Sequence, residues 1–105
     1  MHLKWSKKEK RIARAAYDKA YKREMERIQE AIYEMAKSFK EENDVWRLHD
    51  YLTRKRREVD RKYDYRYSVL ILVFARLLGE GLINDEDLEG LSEDKIARIR
   101  RFLEI

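Results

Sequence analysis

Trp46, His49, Asp50 and Arg56 fall within eleven residues of one another and are of the types from which a site could be built. Chelation of a metal by His49 and Asp50 fails on spacing. On a helix, ligands sharing one ion must lie three or four residues apart, and the other histidine, His2, is in the terminal tail. Nucleophilic catalysis lacks its parts too: there is no Cys, Ser68 has no His at helical spacing, and Gly79, Glu80 and Gly81 do not make a phosphate-binding loop. We therefore expect no catalytic, cofactor-binding or metal-binding residues and no enzymatic activity. What remains is contact chemistry, since Trp and Arg are the residues most enriched at binding hot spots.

The element that positions these residues is a helix. Asn43 or Asp44 supplies an N-cap, and no Gly or Pro follows until Gly79, so one long helix is expected across this stretch. Its apolar face is Val45, Leu48, Leu52, Val59 and Tyr63. At about 100° per residue Arg56 falls among them, with His49 at the edge of the stripe and Trp46 and Asp50 beside it. Charges partly withdrawn from water need partners. In one account Arg56 and Asp50 tie two helices together across a dimer axis, with His49 satisfied in the seam. In the other the four residues form a recognition surface, and both can hold at once.

The composition agrees with helices. The 105 residues include three Gly, no Pro and no Cys, and 44% are charged, which starves an all-β fold of turn residues while favouring helix. The absence of Cys removes any disulfide framework and makes a reducing compartment, the cytoplasm, the expected location. The longest apolar run, Val69 to Ala75, is far shorter than the roughly 20 residues of a spanning helix, so no membrane insertion is expected.

Ser6 followed by Glu9 is a capping box, and a first helix should run from there to about Glu42. Tyr17, Tyr21, Met25, Ile28, Ile32, Met35 and Phe39 recur at steps of three and four, forming one stripe. A helix of that length outreaches any compact partner the rest of the chain could build, so part of the stripe should pack on a second copy. Residues 1–40 carry 12 basic and 6 acidic side chains. The two signs interleave, as in Lys22, Arg23, Glu24, Glu26 and Arg27, which favours a solvated helix over a nucleic-acid footprint.

Tyr63, Tyr65 and Tyr67 alternate as in a strand, but the apolar run that follows favours a continuing helix to a cap at Gly79 or Gly81. Asp85, Glu86 and Asp87 should open a short helix ending near Gly90. Ser92 should cap a last one, with Ile96, Ile99 and Phe102 inward and Arg98, Arg100 and Arg101 mostly outward. The expected architecture is all-α: a single helical domain over 1–105, with a homodimeric stalk of long helices over about 6–78 and a small helical head over about 69–105.

The residues Asp44 to Leu52, then Lys55, Arg56, Glu58, Val59, Asp60 and the run Lys62 to Ile71, closely resemble the fluorescence recovery protein family of cyanobacteria. The similarity resumes through Val73, Phe74, Ala75, Glu80, Gly81, Leu88 to Leu91 and Asp94 to Ala97. This resemblance implies an all-helical homodimer without cofactor or enzymatic activity. Members bind the photoactivated orange carotenoid protein, speed its return to the resting orange form and end the quenching of phycobilisome fluorescence. Trp46, His49, Asp50 and Arg56 match positions that serve dimer integrity or activity there. Leu72 stands where the family typically has Phe, Arg98 where a Lys is implicated in partner contact, and Leu82 where Trp is common. The resemblance thus adds Leu72 and Arg98 to the partner-binding or interface residues. The alternative is a dimer of the same fold serving another protein or a nucleic acid, the latter not the expected partner.

Overall fold

A computed structural model describes residues 3–104. Four α-helices and one 3-10 turn follow one another: α1 (Lys7–Lys37), α2 (Asn43–Lys62), α3 (Leu70–Gly79), the turn Asp85–Leu88, and α4 (Glu93–Leu103). The all-α expectation holds.

The first helix begins where its capping box predicts. The Glu9 amide donates to Ser6 Oγ and the Ser6 amide to Glu9 Oε1, each at 3.1 Å. It ends at Lys37, earlier than the expected Glu42, because Asp44 organises the connection instead of capping the next helix. Asp44 Oδ2 accepts from the amides of Lys40 at 2.8 Å and Glu41 at 3.0 Å, satisfying donors that would otherwise call for another helical turn. The residue preceding α2 is Glu42, and its side chain makes no capping bond.

The expected continuous helix from Asn43 to Gly79 is not formed: α2 stops at Lys62, and Tyr63–Arg66 connects it to the turn before α3 without helical structure. Alternating tyrosines supply the reason. Tyr63 meets Tyr21 and Tyr17 edge-on, with ring centroids 5.2 and 5.4 Å apart; Tyr65 meets Tyr17 at 4.8 Å, and Tyr67 meets Trp5 at 5.6 Å. Two extended residues advance about 6.6 Å and four helical residues about 6 Å, so alternate tyrosines keep step with successive turns of α1. A helix over 63–67 would turn these rings away from α1.

Buried residues of α1 and the C-terminal half share one core. Trp5, Ala13, Ala16 and Ala20 are buried with Leu70, Phe74, Leu77, Leu82, Ile83, Leu91 and Ile99. The first turns of α1 therefore belong to the head, and the small alanines allow close approach on that side. Along the stripe, Tyr17 packs half-buried against this core, whereas Tyr21, Met25 and Ile28 face an open groove toward α2.

α3 closes on a Schellman arrangement. Leu82 N–H donates to Leu77 O at 2.9 Å and Gly81 N–H to Leu78 O at 3.1 Å, with Gly81 at φ +72°. Asn84 caps the 3-10 turn and Ser92 caps α4, whose Ile99 is buried and Ile96 half-buried. Phe102 departs from its expected inward place: it is 44% exposed, because α4 reaches the rim of the head at its last turn.

Candidate functional site

The six residues expected to carry contact lie in two places. Trp46 sits in the first turn of α2, 63% exposed, with the His49 ring edge-on at 6.1 Å. His49 Nδ1 lies 3.6 Å from Asp50 Oδ1, and both side chains face solvent. Arg56 is two turns further on. Its side chain is 81% exposed, and its Nε donates to Asp60 Oδ2 at 3.3 Å, one turn along the same helix. Within one chain Arg56 therefore meets Asp60 and not Asp50, and it lines the α1–α2 groove with Leu52, Val59 and Tyr63.

Leu72 and Arg98 line one concavity on the head, far from that group. Leu72 lies within the apolar run of α3 yet is 51% exposed, because α3 buries its other faces through Leu70, Ile71, Val73, Phe74 and Leu77. Arg98 Nε donates to Asp94 Oδ2 at 3.1 Å. Leu72 and Arg98 line a concavity of about 240 Å3 with Ile71, Ser68, Arg101 and Phe102. An apolar floor ringed by guanidinium groups suits an apolar side chain flanked by carboxylates. Between this head surface and Trp46 stands most of α2, about 24 Å of helix from Trp46 to Lys62 at 1.5 Å per residue.

Two buried ionic junctions connect these regions, and neither was read from the sequence. At the foot of the stalk, Lys62 Nζ donates to Glu24 Oε1 and, at 2.7 Å, to Glu80 Oε1, so α1, α2 and the end of α3 meet at one ammonium. Burial pushes the Tyr63 phenol well up, and Glu24, accepting its hydroxyl at 3.3 Å, pushes it further. Burial also acts to raise Glu80, but Lys62 and Arg76 outweigh it and hold its carboxyl below the usual value.

At the top of the head, Glu9 Oε2 accepts from Lys95 Nζ at 3.1 Å and from the Ser92 amide at 2.9 Å. Burial opposes its ionisation, yet the amides of Ser6 and Ser92 with Lys95 bring its carboxyl down to about 2. The capping box marked Glu9 only as a local cap; nothing local marked Lys95.

Among the described residues no group of three or more His, Cys, Asp or Glu is placed to hold a metal ion, and no helix is long and apolar enough to cross a membrane.

The family of photoprotection regulators described as fluorescence recovery protein matches residues 5–102. The chain belongs to this family. It is 44% identical over 96 residues to the fluorescence recovery protein of Synechocystis sp. PCC 6803, covering 91% of this chain and 88% of that protein. The solved structure of the Synechocystis protein superposes with a TM-score of 0.92 at 41% identity. That of the Fremyella diplosiphon fluorescence recovery protein gives 0.91, also at 41% identity. In each case the match covers 97% of this chain and 100% of the solved one. Membership in a family of photoprotection regulators supports a role in photoprotection.

Proposed function

We propose that this protein is a non-enzymatic, cytoplasmic regulator that binds the photoactivated orange carotenoid protein and accelerates its return to the resting orange form, ending phycobilisome fluorescence quenching. The observation that carries the reading is near-complete coverage by the family together with an apolar, guanidinium-ringed surface at Leu72 and Arg98. Binding can speed reversion only if the regulator holds the closing arrangement of its partner more tightly than the separated one. A preformed head contact suits that requirement, because little ordering is needed on binding. The working form in this reading is a homodimer, with the second copy covering the stalk groove lined by Tyr21, Met25, Ile28 and Leu52. The test is dark recovery of a photoactivated carotenoid protein followed by visible absorbance. Faster recovery with added regulator supports the reading, and an unchanged rate at excess regulator removes it.

A second reading has its own observation. Glu9 and Glu24 turn inward to Lys95 and Lys62, so the surface of this segment is more basic than its sequence, although Asp18, Glu26, Glu30 and Glu34 stay exposed. Lys7, Lys8, Arg11 and Lys22 stay exposed, with no carboxylate partner among the described residues. This excess of exposed cations fits a polyanion. Retention of DNA at low salt, lost steeply as salt rises, would favour it; no retention at low salt would eliminate it.

A further inference from the structure

The flank of α4 opposite Leu72 and Arg98 carries a second groove. Ile96, Ile99 and Arg100 point roughly 160° around α4 from Arg98, Arg101 and Phe102, taking about 100° per residue. The groove has a volume of about 310 Å3 and an apolar floor of Leu78, Leu88, Ile96 and Ile99. Leu78 and Ile96 are only half-buried, so part of this floor is open to water.

Its rim is negative. The acids of the adjoining turn divide into two sets. Asp85 is neutralised by Arg100 Nη2 at 2.7 Å on the rim of the groove, and Asp87 is held by Lys19 Nζ at 2.8 Å and by Arg23. Glu86 and Glu89 also line the groove, but both are exposed and neither has a cationic partner among the described residues. In a chain with more Lys and Arg than Asp and Glu, two unpaired carboxylates beside an open apolar floor give this flank the sign opposite to the Leu72–Arg98 side.

We propose that this groove docks a cationic amphipathic protein segment. One or two of its apolar side chains would rest on Leu78 and Ile96, and its Lys or Arg side chains would reach Glu86 and Glu89. A volume near 310 Å3 is at the small end of ligand pockets and suits an anchor residue better than a cofactor. The rim supplies orientation, because Asp85 is already neutralised by Arg100 and leaves Glu86 and Glu89 as the carboxylates open to a cation. The inference stands apart from the carotenoid-protein reading, since it rests on the opposite flank of α4.

The test uses the full chain, methyl-labelled at Leu and Ile, titrated with three 18-residue peptides: Leu and Lys patterned as an amphipathic helix, the same composition scrambled, and the patterned peptide with Glu for Lys. The patterned peptide should shift the methyls of Leu78, Leu88, Ile96 and Ile99 before those of Ile71 and Leu72. It should bind at least tenfold more tightly than either control. The double variant Glu86→Lys/Glu89→Lys should weaken it by tenfold or more, with the unfolding midpoint unchanged. Equal binding of the scrambled peptide, or first shifts at Ile71 and Leu72, would overturn the proposal without touching the recovery activity. Concentration-dependent shifts at the same four methyls without peptide would assign the groove to a second copy of the chain and overturn it too.

Discussion

Glu9 shows how one residue can serve two roles at different ranges. It completes the cap of α1 and, through its second oxygen, holds Ser92 and Lys95 at the start of α4. Its carboxyl is lowered from 4.5 to about 2, so its contribution to stability is fully present above about pH 4.5 and is lost as pH falls toward 2. Glu9→Gln should destabilise the fold at pH 7 by roughly 3 kcal/mol, because Lys95 is left buried without its counter-charge, and should flatten the acid limb of a denaturation curve taken from pH 5 to pH 2. An acid limb identical to wild type would contradict this role.

Arg56 gives the opposite case. It is exposed and paired within its own helix, so Arg56→Leu should change the folding stability of the isolated chain by about 0.5 kcal/mol or less. If its guanidinium also meets a carboxylate of a second copy, the same substitution should raise the dimer dissociation constant at least tenfold in sedimentation. Loss of carotenoid-protein binding from an intact dimer would instead assign it to recognition.

At the scale of elements, the decisive feature is the ammonium of Lys62, where three segments meet. Lys62→Met keeps the stem but leaves Glu24 buried beside Tyr63, and should cost about 3 to 5 kcal/mol in urea unfolding. The pair Lys62→Met/Glu24→Leu should recover much of that loss, since apolar side chains of similar volume can replace a buried ion pair. The Glu89–Leu91 loop depends on Gly90 in another way. Gly90 lies at φ +101°, and a Cβ there would come within 2.5 Å of Ile12 Cδ1. Gly90→Ala should therefore destabilise by roughly 1 to 3 kcal/mol, visible as a lowered melting temperature. Two of the helix starts were legible for a local reason: Ser6 and Ser92 bond within three residues of themselves, as does Asn84, a cap overlooked in the sequence in favour of the acids that follow it. The end of α2 was not, because the alternation of Tyr63, Tyr65 and Tyr67 has meaning only against α1.

For the whole molecule, shape is the main observation. It extends 53 × 25 × 24 Å with a radius of gyration of 16.8 Å, against roughly 13 Å for a compact chain of this length. The excess is the stalk, whose groove of about 700 Å3 leaves Tyr21, Met25 and Leu52 partly in water. An apolar face of this size on a slender hairpin calls for a cover, and in the homodimer proposed above a second copy would supply a symmetric one. Leu52→Glu should convert the dimer to monomer in sedimentation while leaving helix content unchanged in circular dichroism. A persistent dimer would place the seam elsewhere.

The sequence by itself determined the helical class, the helix starts at Ser6 and Ser92 and the stripe along α1, because each depends on interactions within a turn or two of chain. Only the tertiary structure decided which carboxylates are withdrawn from the surface, that the chain leaves the helix after Lys62 so that its tyrosines face the start of the chain, that Leu72 and Arg98 line one concavity, and that Trp46 and Arg56 stand apart from them. Those outcomes depend on partners far along the chain, as Glu9 with Lys95 and Glu24 with Lys62. A buried charge or ring settles where its distant partner lies, so no local rule of spacing could have placed it.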